Sequence, residues 1–91
     1  MSAFYQISYD PKSIMNDALL VDRIKQYGEY CNILPGTWLI YTTDDAKEIY
    51  ERITRDQYEG MLLIVCKLDM SSYWGRMDKS LWEWIRKIHS K

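Results

Sequence analysis

The hydrophobic pattern of this chain is set from its first strand. Ala3, Tyr5, Ile7 and Tyr9 alternate with Phe4, Gln6 and Ser8, and the run stops at Asp10-Pro11. One face is uniformly apolar and the other mixed, the period-two signature of a strand lying on a core. Proline removes a backbone donor and disfavours the helical region for the residue before it, so the strand ends where the Asp10 carboxylate emerges. Leu20, Val21, Ile24 and Tyr27 then recur at three-to-four spacing opposite Asp22, Arg23, Lys25 and Gln26, which predicts a helix over residues 12–27, closed by Gly28. Ser13 and Asn16 can each accept from first-turn amides, which leaves 12–15 open between loop and first turn.

Two apolar runs follow, 29–34 and 37–42, separated by Pro35-Gly36. Pro fixes φ and Gly supplies positive φ, so the pair predicts a tight turn and an antiparallel hairpin. Trp38 and Ile40 share one face of the second run and Leu39 and Tyr41 the other, which makes that strand interior or covered by a partner. Thr42-Thr43-Asp44-Asp45 opens a helix with a capping hydroxyl and acids on the positive end of its dipole. Its stripe is Ala46, Ile49, Tyr50 and Ile53, and its end falls between Arg55 and Tyr58 before Gly60. The continuous apolar run 61–68 reads as a buried strand. Residues 69–77 read as a polar loop carrying aromatics, after which Asp78 caps a helix with Leu81, Trp84, Ile85 and Ile88 as its stripe and Trp82 on its flank.

Strand, helix, strand, strand, helix, strand is the order of a split pair of crossovers, so the expected class is α+β. It gives a ferredoxin-like βαββαβ sandwich, with a four-stranded antiparallel sheet, two helices on one face and an extra C-terminal helix, in one domain over residues 1–91. The sheet's second face needs a cover, from that last helix or from a second copy of the chain.

Composition changes this picture little. With 91 residues, 47% hydrophobic and 27% charged, the chain reads as one globular domain with a modest core. Eight Tyr and four Trp are more than a small interior holds, which points to a partner surface. The net charge of −1 weighs against a dedicated polyanion binder, although residues 1–66 carry six Lys/Arg against ten Asp/Glu and residues 67–91 six against three. Cys31 and Cys66 stand in apolar runs without metal-ligand spacing and read as buried thiols in a reducing compartment. No apolar run reaches membrane-spanning length and the N-terminus lacks a signal-peptide pattern, so the expected location is cytoplasmic.

Tyr9-Asp10 at the end of the first strand, Tyr27-Gly28 at the end of the first helix and the Thr-Asp-Asp-Ala opening at 43–46 resemble the small CRISPR-associated adaptation nuclease family. With Thr37-Trp38-Leu39-Ile40 and the Trp-rich terminal helix, the chain is more similar to that family's SinR-like relatives, over most of residues 3–88. The resemblance implies a homodimer in which Asp10 of each subunit approaches its mate and the pair holds a divalent metal. Mg2+ is commonly held by one or two carboxylates plus substrate phosphates, so Asp10 becomes the candidate metal ligand and catalytic residue, with Ser8 and Tyr9 orienting waters. The chain departs from the pattern in two places. Only Lys12 is basic after the aspartate, and residues 69–77 lead into a helix where the CRISPR family has a fifth strand.

Tyr9, Lys12, Tyr73, Trp74, Arg76 and Trp82 are the candidate residues of a partner or nucleic-acid surface, and His89 reads as a solvated tail residue. No cofactor is expected other than possible Mg2+. No phosphate loop, nucleophile elbow or zinc spacing occurs, and three functions remain. The first is a noncatalytic dimeric interaction module, in which replacing Trp74 or Trp82 disrupts association. The second is an Mg-dependent endonuclease using Asp10. The third is a mobile-element-encoded inhibitor that mimics nucleic acid with an acidic surface against a host nucleic-acid-binding complex.

Overall fold

The computed structural model describes residues 1–55 and 60–90. Four strands, β1 (Ala3–Tyr9), β2 (Tyr30–Leu34), β3 (Thr37–Thr42) and β4 (Leu63–Leu68), alternate with α1 (Ala18–Lys25), α2 (Ala46–Thr54) and a last helix α3 (Lys79–His89). The sheet runs β2-β3-β1-β4, with every neighbouring pair antiparallel. β1 and β3 are therefore central, and the chain passes over one strand in each of the crossovers that carry α1 and α2.

Local chemistry explains where the elements begin and end. The first helix is shorter than its periodicity suggests. Pro11–Ser13 forms a separate 3-10 turn capped by the Asp10 carboxylate, and α1 starts only at Ala18, whose amide donates to Asn16 Oδ1 at 2.9 Å. Ser13 does not cap that helix. Its hydroxyl donates to the Asp10 carbonyl (2.7 Å) and accepts from the Leu62 amide (2.9 Å). Gly28 and Gly36 both hold positive φ, 82° and 77°, as the helix end and the hairpin turn require. At the turn, Asn32 Nδ2 donates to the carbonyls of Leu34 and Thr37 across the register shift in β2. The α2 cap is the Asp45 carboxylate, in a reciprocal box with Glu48, in place of the expected hydroxyl. Tyr50, expected in the α2 stripe, is exposed, while Ile49 and Ile53 are buried. The helix ends at Thr54, and the possible endings at Gln57 or Tyr58 lie outside the described residues.

Two cores result. Tyr5, Ile7 and Tyr9 of β1 pack with Trp38 and Ile40 against Leu20, Ile24, Ile49 and Ile53, so the apolar side of β1 faces α1 and α2 as its alternation predicts. On the second face α3 lays Leu81 and Ile85 over Leu39, with Cys31, Ile33 and Leu68 around them. The chain's own terminal helix thus takes one of the two covers open from the sequence, and it takes it only in part. α3 packs toward β2, and on the β1–β4 side of the same face Ile64 and Cys66 stay exposed opposite Ser8 and Gln6.

Two expectations about burial are corrected here. The apolar run before Asp69 forms an edge strand, because β4 pairs only with β1, and its residues are half-buried or exposed, none of them buried. Cys66 is consequently an exposed thiol, and Cys31 is half-buried, where burial pushes its pKa up. Among the described residues no helix is long and apolar enough to cross a membrane.

Candidate functional site

Asp10 sits where β1 leaves the sheet, exposed, with backbone φ −82° and ψ 113° ahead of Pro11. Its amide donates to the Leu62 carbonyl at 3.0 Å, and its Oδ1 accepts from the Lys12 amide at 2.9 Å. One carboxylate oxygen therefore terminates the 3-10 turn, and Oδ2 makes no hydrogen bond or ion pair among the described residues. An open groove of about 510 Å3 begins beside it, lined by Ser8, Tyr9, Asp10 and residues 61–64. Leu62 and Ile64 form its outer wall at 65% and 59% exposure. Side chains this apolar normally gain about 1.5–3 kcal/mol each from full burial, so the wall is a surface with a driving force to be covered.

Tyr9, a candidate surface residue, belongs to the interior. The residue is 8% exposed, and its hydroxyl donates to Asp17 Oδ2 at 2.5 Å. Burial first, and then this acceptor, push its pKa up to about 12, so it stays protonated with its hydroxyl committed to Asp17. The cause lies in the same alternation that makes β1 a strand, since Tyr9 shares parity with Tyr5 and Ile7. Lys12 is exposed on the turn and offers its amide to Asp10. Tyr27 is used in the same way as Tyr9. Its hydroxyl donates to Asp44 Oδ2 at 3.0 Å beneath Arg52, and burial raises its pKa as well.

A second set of candidates comes together at the other end of β1. Tyr73 stacks on Trp82 with centroids 6.1 Å apart and planes 14° from parallel. It meets His89 edge-on at 6.4 Å, and His89 in turn contacts Phe4 at 5.5 Å. His89 is exposed, as its position near the end of the sequence suggests, and its ring also touches Tyr73 and Phe4, which joins the 69–78 loop to the start of β1. Tyr73, Trp74, Gly75 and Trp82 line a cleft of about 390 Å3, with Trp74 fully exposed. Arg76 lies outside it, in an adjacent groove with Ile33, Leu34, Met77 and Asp78.

The candidate residues therefore divide into two places. Phe4, near the aromatic cleft, and Asp10, at the groove, are six residues apart on one extended strand, about 20 Å at 3.3 Å per residue. The apolar wall of Leu62 and Ile64 was missed from sequence, because a continuous apolar run does not say which of its residues an edge position exposes. Asp10 brings the one carboxylate among the residues lining that groove, and among the described residues no three His, Cys, Asp or Glu side chains gather as a metal site. Compared with protein-family models, with curated proteins and with solved structures, the chain matches none of them.

Proposed function

We propose that the chain is a ferredoxin-like, noncatalytic interaction module that works as a homodimer joined through the groove beside Asp10. Read from its other edge, the sheet order is β4-β1-β3-β2, and the two crossovers have the split arrangement of that fold. The observation that carries the dimer is the exposed pair Leu62 and Ile64, next to Cys66, on the part of the sheet face that α3 leaves open. A two-fold contact places like on like, so the same two leucine and isoleucine side chains would meet their own copies and be withdrawn from water.

Sedimentation velocity of the purified chain across a range of micromolar concentrations tests this. The expected result is a dimer that Ile64→Asp converts to a folded monomer, with circular dichroism unchanged. A wild-type monomer at every concentration overturns the reading. A second reading, an Mg-dependent endonuclease, is favoured by one observation: Asp10 is exposed on the same groove with Oδ2 free, so a two-fold axis there would bring a carboxylate from each subunit together. It requires cleavage of RNA or DNA in Mg2+ that Asp10→Asn removes, since asparagine keeps the oxygen that accepts from Lys12 and takes away only the charge.

A further inference from the structure

We propose that the cleft lined by Tyr73, Trp74, Gly75 and Trp82 is a stacking site for the unpaired bases of single-stranded nucleic acid. This inference stands on a different part of the molecule from the Asp10 groove. The cleft's side-chain walls are aromatic: Tyr73 and Trp82 stack on each other, and Trp74 beside them is the ring left open to a base. Trp74 presents its whole indole to solvent, and an added Cβ at Gly75 would meet only the Trp82 ring edge at 3.7 Å, so the backbone leaves the floor of the cleft open. Every base has a π-face, so such planes accept bases without regard to sequence.

Charge selects this occupant over the others that aromatic clefts take. Lys79, Trp82, Arg86 and His89 stand at i, i+3, i+7 and i+10 on α3 and share one face of the helix. Residues 67–91 hold six Lys/Arg against three Asp/Glu. Glu83 pairs with Lys79 at 3.9 Å, Asp69 accepts from the Ser71 amide, and Asp78 lies in the neighbouring groove with Ile33 and Leu34. Arg86 has no ion pair among the described residues. An ammonium ligand would find cations around the rings where a cage needs acids. A proline-rich peptide would make no use of the positive charge. A nucleotide strand uses both, with bases on the rings and phosphates toward Arg86.

Fluorescence anisotropy of a labelled 12-nucleotide oligo(dT) and oligo(U), with a duplex of equal length as control, tests the assignment at 50 and 200 mM salt. The expected outcome is micromolar binding of the single strands that weakens at the higher salt. Trp74→Ala should weaken it by roughly 5- to 150-fold, the range for one stacked base. Arg86→Ala should weaken it and flatten its salt dependence. Because Trp74 is fully exposed, its replacement leaves the fold intact, which circular dichroism verifies. No binding of single strands, equal binding by Trp74→Ala, preference for the duplex, or binding of a decaproline peptide in place of the oligonucleotides overturns it. Ile64→Asp should leave oligonucleotide binding unchanged and Trp74→Ala should leave the sedimentation profile unchanged, so failure of the dimer and failure of this site are separately visible.

Discussion

Gly36 fixes the corner from which Asp10 projects, and replacing it with alanine should disturb that corner far more than the same change at Gly28. Both glycines have positive φ, so both substitutions carry a left-handed backbone penalty of about 1–2 kcal/mol, partly offset by about 0.4–1 kcal/mol from a stiffer unfolded chain. At Gly28 nothing lies within 4 Å of the new Cβ, so the net cost there is about 1 kcal/mol. At Gly36 the Cβ would fall 2.3 Å from the Tyr9 carbonyl oxygen and 3.1 Å from the Pro11 ring. Two rigid groups have to move. The displacement adds an overpacking cost of about 1–3 kcal/mol. It also strains the 2.8 Å bond from the Tyr9 amide to the Gly36 carbonyl, worth about 1 kcal/mol. The total of about 3–5 kcal/mol is a large part of the roughly 5–14 kcal/mol available to a 91-residue domain. Urea titration with thermal melts reads it directly. At about 4–8 °C per kcal/mol, Gly28→Ala should lower Tm by about 4–8 °C and Gly36→Ala by more than about 12 °C. Equal shifts for the two variants would refute the packing argument, since the backbone term is common to both.

The remaining predictions concern single groups. Asp10→Asn should be nearly neutral in stability while Asp10→Ala costs about 1 kcal/mol, because only alanine removes the oxygen that accepts from Lys12; equal urea midpoints for the two would contradict the capping role. Asp45→Ala should cost about 0.5–2 kcal/mol by opening the capping box with Glu48, and Glu48→Ala in the Asp45→Ala background should add little, which a double-mutant cycle measures. Tyr9 and Tyr27 have folded-state pKa values above the usual 10, so their contribution is intact below pH 10 and is lost as pH rises, through about 12 for Tyr9. The unfolded tyrosines ionise first, and denaturation monitored by circular dichroism should therefore set in above pH 10. Tyr9→Phe should blunt that loss.

Elements were legible where one pattern had one meaning. The alternation in β1 put Tyr5, Ile7 and Tyr9 on the α1–α2 core, and Pro35-Gly36 marked the hairpin because positive φ leaves few residues to choose from. The apolar run of β4 carried two meanings, since buried and edge strands can share it, and pairing decided the matter by leaving β4 with one neighbour. Tyr9 was read both as core by its parity and as surface by its nearness to Asp10. Parity prevailed, because the side chain one position before a strand-end residue points to the opposite face. His89 could not be placed from spacing alone. Its contacts come from β1 and from the 69–78 loop, which only the folded-back path of α3 brings together. Tyr73, Trp74 and Trp82 stand out in the sequence as aromatics in a polar segment and do line the cleft, whereas Arg76, their neighbour in the chain, lines a different groove.

The Ser13 hydroxyl joins two segments 49 positions apart, donating to Asp10 while receiving from Leu62. A partner that drew Leu62 outward would tug on this rivet and through it on the strand end that carries the acid. The apolar wall and the backbone at Asp10 are thereby tied together through one side chain. Ser13→Ala would loosen that tie and leave only the direct bond from the Asp10 amide to the Leu62 carbonyl.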